Sequence, residues 1–267
     1  MQPGYWANGT WTALPVPIPS PKSSQAGFVV SGSNVYVGGY VINSAGVTTP
    51  GYWLNATWTA LPAPDPAQDS FVQKLFLSGS DLYAAGWAKV GSSTNLIPGY
   101  WLNGVWKALP AAIAGQNSAP VAIAVSGSNV YLPGFSSSSS SGTIAGFWLN
   151  GTWTELTSPY AATLNITTGI SMPGSDVYIS GTSASAGNLV PGYWKKGVWS
   201  TLPIPPTAAE GSTSCVIASG TDLYIGGVTT DSSNNDTPGY WLNGNWVALA
   251  PASPLIGGTV QSMVVVP

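Results

Sequence analysis

Apolar positions along this chain come in short bursts, each closed by a turn signal rich in Gly, Ser, Asn or Pro. In the stretch 25–62, Gly27-Phe28-Val29-Val30 is a first apolar run, Ser31-Gly32-Ser33-Asn34 a turn, and Val35-Tyr36-Val37-Gly38-Gly39-Tyr40 a second run, β-branched and aromatic. After a polar loop come Pro50-Gly51-Tyr52-Trp53-Leu54, two turn residues, and Thr57-Trp58-Thr59-Ala60-Leu61, which alternates in character up to Pro62. This pattern predicts four short strands arranged as two hairpins.

The same pattern returns along the whole chain, so the repeat governs the architecture. Gly-aromatic-Trp occurs as Gly4-Tyr5-Trp6, Gly51-Tyr52-Trp53, Gly99-Tyr100-Trp101, Gly146-Phe147-Trp148, Gly192-Tyr193-Trp194 and Gly239-Tyr240-Trp241, at intervals of 47, 48, 47, 46 and 47 residues. Five residues beyond each Trp stands another: Trp11, Trp58, Trp106, Trp153, Trp199 and Trp246. Only Trp87 lies outside this scheme. Between the paired Trp sits Asn-Gly at 8–9, 103–104, 150–151 and 243–244, a pair that tolerates positive φ at both positions of a type I′ turn, with Asn55-Ala56 and Lys196-Gly197 as weaker variants. The first hairpin turns at Ser-Gly-Ser-Asn and its relatives, where Asn34 and Asn129 alternate with Asp81, Asp176 and Asp222. A carboxylate that an amide replaces at the matching site of another repeat caps a turn, so these three acids are poor catalytic candidates.

Four strands in each period of about 47 residues, with Gly and aromatic signatures, is the behaviour of β-propeller blades. The order of strand, turn, strand ending in Gly-Gly (Gly38-Gly39, Gly226-Gly227), loop, aromatic strand, turn and Thr-Trp strand resembles the kelch-type blade, also found in the central domain of galactose oxidase and in bacterial surface proteins. The resemblance covers essentially the whole chain and implies an all-β propeller. Ala85-Gly86, Pro133-Gly134 and Ser180-Gly181 depart from the double glycine. The kelch arginine site and the copper site, which uses His, have no counterpart here. A single domain over 1–267 is expected, with blades near 19–62, 63–110, 111–157, 158–203 and 204–248. Residues 258–267 read as a first strand that, with 3–15, makes a composite blade lacking its second strand. That gives six blade positions, the alternative being a five-bladed ring; a neighbouring copy filling the gap would make a homo-oligomer.

Composition narrows the chemistry. Charged residues are 6% of the chain, against about 25% in ordinary domains. With net charge −3 and no Arg among its six cations, it offers no basic stripe for nucleic acid. The absence of His removes the commonest general base and metal ligand, and Cys215, the one cysteine, reads as a core residue. Neither cofactor nor metal is expected. No apolar run approaches the roughly 20 residues of a spanning helix, so membrane insertion is not expected, and Met1-Gln2 opens no signal-peptide pattern.

Blade connectivity gathers the variable loops on one face: 42–49, 90–97, 136–144, 183–190 and 229–237 within blades, and the inter-blade segments near 15–26, 63–70, 111–119, 158–163 and 204–213. Binding residues concentrate on such loops. The six-Ser run 136–141 reads as a flexible tip. The repeat Trp read as packing between blades, whereas Trp87 takes the place of Tyr40 and Phe135 after the second-strand glycine and is the best aromatic contact candidate. Asp65, Asp69 and Asp231 join Trp87, Tyr40 and Phe135 as candidate ligand contacts. Acids outside the turns, which also include Glu155, Glu210 and Asp236, show no metal-loop spacing. These features predict a non-enzymatic, extracellular or cell-surface module binding a protein or cell-surface component. A carbohydrate-binding lectin and a ligand-free structural module are the alternatives.

Overall fold

A computed structural model describes residues 3–7, 10–16, 23–138, 142–160, 164–250 and 258–265, and every regular element among them is a β-strand. Strands β1 (Gly4–Ala7) and β2 (Thr10–Ala13) form a two-stranded ribbon. The second sheet comprises β3 (Ser23–Ser31), β4 (Asn34–Ile42), β5 (Thr48–Leu54) and β6 (Thr57–Ala60). In the third lie β7 (Ser70–Ser78), β8 (Asp81–Ala88), β9 (Ile97–Leu102) and β10 (Val105–Ala108). A fourth holds β11 (Asn117–Pro120), β12 (Ala124–Ser126), β13 (Asn129–Ser138), β14 (Gly142–Leu149) and β15 (Thr152–Glu155). The fifth is β16 (Asn165–Ser171), β17 (Tyr178–Ser185), β18 (Asn188–Lys195) and β19 (Val198–Thr201), and the sixth β20 (Ala208–Ser219), β21 (Asp222–Asp231), β22 (Asp236–Leu242) and β23 (Asn245–Ala248). The chain divides into two compact units, residues 1–132 with 150–152 and residues 133–149 with 153–267.

The turn chemistry explains the hairpins. Asn103, Asn150 and Asn243 have φ of 49°, 50° and 51°, and the glycines after them 84°, 90° and 86°, the type I′ pattern. Each Asn also ties its hairpin to the neighbouring one. Asn103 Oδ1 accepts from Leu82 N at 2.9 Å, while its Nδ2 donates to Asp81 Oδ1 at 2.8 Å. Asn150 donates in the same way to Asn129 Oδ1, and Asn243 to Asp222 Oδ1, both at 2.9 Å. The acceptor is one oxygen, which amide and carboxylate both carry, and so Asn and Asp interchange. In the fifth sheet Lys196 replaces the Asn, and Asp176 instead pairs with Lys196 at 2.8 Å and Lys195 at 3.1 Å. The Asn8-Gly9 turn lies outside the described residues.

Core formation follows from the two Trp of each repeat. In the register of β5 and β6, Trp53 faces Trp58 and Gly51 faces Ala60. Their rings meet at 4.4 Å, and the Trp58 ring lies diagonally across Gly51. A Cβ on Gly51 would enter that ring and stand 2.5 Å from the Thr59 carbonyl oxygen, so only glycine fits. Trp53, Trp101, Trp148, Trp194 and Trp241 are fully buried. Four of these rings are held by a polar tip as well as by packing: Nε1 of Trp53, Trp101, Trp194 and Trp241 donates to the carbonyls of Pro15, Pro62, Thr157 and Pro203, at 2.7, 2.8, 2.7 and 2.7 Å. These carbonyls follow the last strand of the preceding sheet, so each of these four indoles latches two sheets. Burying one such ring is worth roughly 4–6 kcal/mol before chain entropy is subtracted. Around Trp101 pack Leu61, Val72, Leu75 and Ala84, capped by Tyr36 and Tyr52 of the preceding sheet; Trp241 has the matching cluster of Leu202, Val216 and Ile225 beneath Tyr178 and Tyr193.

Three features depart from the sequence reading. The first strand of each full sheet carries a bulge or a break, between Gln25 and Gly27, Val72 and Lys74, Thr167 and Gly169, Thr213 and Cys215, and between β11 and β12, where Pro120 has no N–H to give. The bulge brings the Phe71 carbonyl against Gly86, leaving no space for a Cβ; the second glycine of the pair is therefore kept while the first varies. Next, 183–190 is not a variable loop. Strands β17 and β18 pair out to Ser185 and Asn188 around a two-residue turn, Ala186-Gly187, at φ 50° and 91°. Finally, 258–265 forms no strand: Val260 and Met263 rest on Gly226, Ser214 Oγ donates to the Val260 carbonyl and Val260 N to the Gly227 carbonyl at 3.5 Å, so packing and isolated hydrogen bonds rather than a ladder hold this segment. Of the serine run, Ser136 is buried in β13, and 139–141 lie outside the described residues.

Candidate functional site

The end of β8 and the start of β7 bring the strongest constellation together. Phe71 and Trp87 are direct cross-strand partners, and their rings stack at 5.4 Å with 9° between planes. Tyr40 reaches in from β4, its ring 4.4 Å from that of Phe71. All three rings are half-buried. Lys89 N donates to the Asp69 carbonyl at 2.9 Å, which continues the register, so strand alternation sets Asp69, Phe71, Trp87 and Lys89 on one side of the sheet. Lys89 Nζ stands 3.4 Å from Asp69 Oδ2.

Asp69 does structural service too. Its Oδ1 accepts from Thr48 N at 2.9 Å, stapling the start of β5 to the next sheet. That amide, followed by the Thr48 side chain and then Lys89, holds the carboxyl below the usual carboxylate range against a desolvation that acts the other way. The staple recurs with other chemistry: Asn117 Oδ1 accepts from Leu96 N, and Glu210 Oε2 from Leu189 N, both at 3.0 Å. Asp65 caps its own loop through Ala67 N at 3.0 Å and ties it to the 89–96 loop through Gly91 N at 2.8 Å. Asp231 binds Ser233 N, Asn235 N and Asn235 Nδ2 at 2.8–2.9 Å, and the Asn235 contacts hold its carboxyl low. Trp87, Tyr40 and Asp69 thus meet, Asp65 caps the loop beside them, and Phe135 and Asp231 belong to the other compact unit. Phe71, the ring that joins Tyr40 to Trp87, carries no mark in the sequence, because its position is not part of the aromatic repeat.

Chemically, this patch offers contiguous ring surface with a carboxylate and an ammonium at its border. Among the described residues, no group of three or more His, Cys, Asp and Glu could hold a metal ion.

No protein-family model matches the chain, and no curated protein matches it. Solved structures do. A triple arginine-to-alanine mutant of AofleA from Arthrobotrys oligospora aligns over 96% of this chain and 80% of its own, at 14% identity and a TM-score of 0.51. A mutant of the Aleuria aurantia lectin in complex with Fucalpha1-6GlcNAc aligns over 93% of this chain and 87% of its own, at 12% identity and a TM-score of 0.50. The chain is a β-propeller. At these identities the likeness extends to the fold alone. A thermostable family-43 glycoside hydrolase also aligns, over 90% of this chain and 97% of its own, at 12% identity and a TM-score of 0.49. The expectation of a non-enzymatic module is corrected: a glycoside hydrolase is among the structures that align, and a fold by itself does not exclude catalysis. Among the described residues no helix is long and apolar enough to cross a membrane.

Proposed function

We propose that this propeller binds carbohydrate, and that the Tyr40–Phe71–Trp87 cluster is where it does so. The carrying observation is the stacked, half-buried Phe71–Trp87 pair with Asp69 and Lys89 at its edge. A pyranose presents an apolar C–H face and a ring of hydroxyls, which this border of rings, carboxylate and ammonium complements. The scarcity of charge, 6% of residues, also favours a neutral ligand over a polyanion. The Aleuria aurantia lectin, which carries a fucosylated disaccharide in its crystal structure, lends support as a propeller of similar fold. This chain has no arginine, so its polar contacts come from Asp, Lys and amides. An extracellular or cell-surface setting accords with a glycan ligand, and the Gly38-Gly39 and Gly226-Gly227 strands favour a kelch-like blade type.

The test is a glycan array followed by tryptophan fluorescence titration of the best ligands. Trp87→Ala is expected to weaken binding about tenfold or more, the effect of losing one stacking contact of about 1.4 kcal/mol. Silence across a broad glycan panel, or titrations indifferent to Trp87→Ala and Phe71→Ala in folded protein, would refute the proposal.

A further inference from the structure

Beside the fifth sheet, in the unit of residues 133–149 and 153–267, lies a cleft of about 530 Å³ that the aromatic cluster does not include. Its walls come from the β17–β18 hairpin, the end of β19 and the segment leading to β20, and Tyr160 stands at its edge. The tight Ala186-Gly187 turn matters here. The matching connections of the second and third sheets are the longer loops 43–47 and 89–96, whereas this hairpin ends in two residues and leaves the cleft open. Ala186 holds φ 50°, a conformation that costs a residue with a Cβ of order 1 kcal/mol and that Asn or Gly would adopt more readily.

The lining divides by chemistry. Pro191 and Ile204, with Val190 and Leu202, supply apolar wall; Ser185, Asn188, Thr201 and the Tyr160 hydroxyl supply polar groups, and no Lys, Asp or Glu is among the described residues that line the cleft. Two of those polar groups are held in place. Trp199 Nε1 donates to Thr201 Oγ1 at 2.9 Å, and the Tyr160 and Thr201 hydroxyls are hydrogen-bonded at 3.1 Å. Tyr160 is thereby fixed over the fourth strand as a half-buried ring, and the groups that would meet a ligand are ordered before it arrives. The volume falls within the range of small-molecule sites.

The geometry points to a second ligand site here, for a neutral, polyhydroxylated ring of pyranose size with one apolar face. It is separate in residues from the Tyr40–Phe71–Trp87 cluster and does not depend on it. Uncharged lining selects against acidic sugars, because a carboxylate entering the cleft would lose water without gaining a cation.

The experiment is a titration of the full chain with methyl α-D-glucopyranoside, methyl α-D-mannopyranoside, methyl α-L-fucopyranoside and glucuronate, followed through the indole N–H resonances in 1H–15N spectra. At least one neutral glycoside is expected to move the Trp199 resonance saturably in the millimolar range, with glucuronate weaker. Tyr160→Ala, and Ala209→Phe placed on an exposed lining position, should each reduce that affinity about tenfold while leaving the Trp87 titration unchanged. Their native thermal transitions would show that they fold. A Trp199 resonance that stays still with every neutral glycoside, or that moves equally in wild type and both variants, overturns the site. Failure at Trp87 alone overturns the function proposed above and leaves this one standing.

Discussion

Trp101→Phe tests the reading that each third-strand Trp is a latch rather than a recognition surface. The substitution removes roughly three methylene-sized groups from a fully buried site, a loss of about 2 kcal/mol at about 0.8 kcal/mol each. It also strips the Pro62 carbonyl of the indole donor now 2.8 Å away, which costs about 1–3 kcal/mol where water cannot replace it. The expected destabilisation is therefore about 3–5 kcal/mol. Trp106→Phe is the internal control, because that ring is half-buried at the outer strand and is expected to cost about 1 kcal/mol. Urea unfolding followed by far-UV circular dichroism and by intrinsic fluorescence would give the two values, with the slope checked for constancy. Equal losses for the two substitutions, or a loss below about 1 kcal/mol for Trp101→Phe, would sink the distinction between latch and cover.

Ser70 is fully buried and its hydroxyl has no hydrogen-bond partner, whereas the matching Ser118 accepts from Ala112 N at 3.2 Å; the place of Ala112 is taken by Pro64, which has no N–H. Ser70→Ala is expected to stabilise by about 1 kcal/mol and Ser118→Ala to destabilise by about 1 kcal/mol, and a thermal melt showing the same sign for both contradicts the account. For Asp69, whose folded carboxyl titrates below its ordinary 3.8, the staple to Thr48 contributes fully above that pH and is lost as pH falls through the lower folded value. Wild-type melting temperature should thus fall more steeply than that of Asp69→Asn on acidification below pH 3.8, and parallel curves would contradict the staple.

How much was legible in the sequence divides along physical lines. Turns are local: Asn-Gly dictates its own dihedral angles, and so the hairpins and the exchange of Asn34 for Asp81 could be read from the chain. Trp87 and Tyr40 were also marked as candidates, by their place after the second-strand glycine. Phe71 was not, since a ring becomes part of a cluster only when two strands and two sheets meet. The acids show the same limit. Asp69 and Asp231 looked alike as loop carboxylates, yet one staples neighbouring sheets and the other closes its own turn.

The sequence by itself determined the period, the four-stranded unit and the all-β class, because each rests on spacings within about 50 residues and on backbone preferences that act over two or three of them. Tertiary structure alone decided which Trp is buried in the pairs from Trp53–Trp58 to Trp241–Trp246, why the second glycine cannot vary, where the first strand bulges, and that 183–190 is a hairpin beside an open cleft. Trp53 and Trp58 are equals in sequence. Another sheet packs over Trp53, whereas Trp58 lies on an edge strand beyond which no further strand is paired, and burial belongs to the neighbour that a residue acquires.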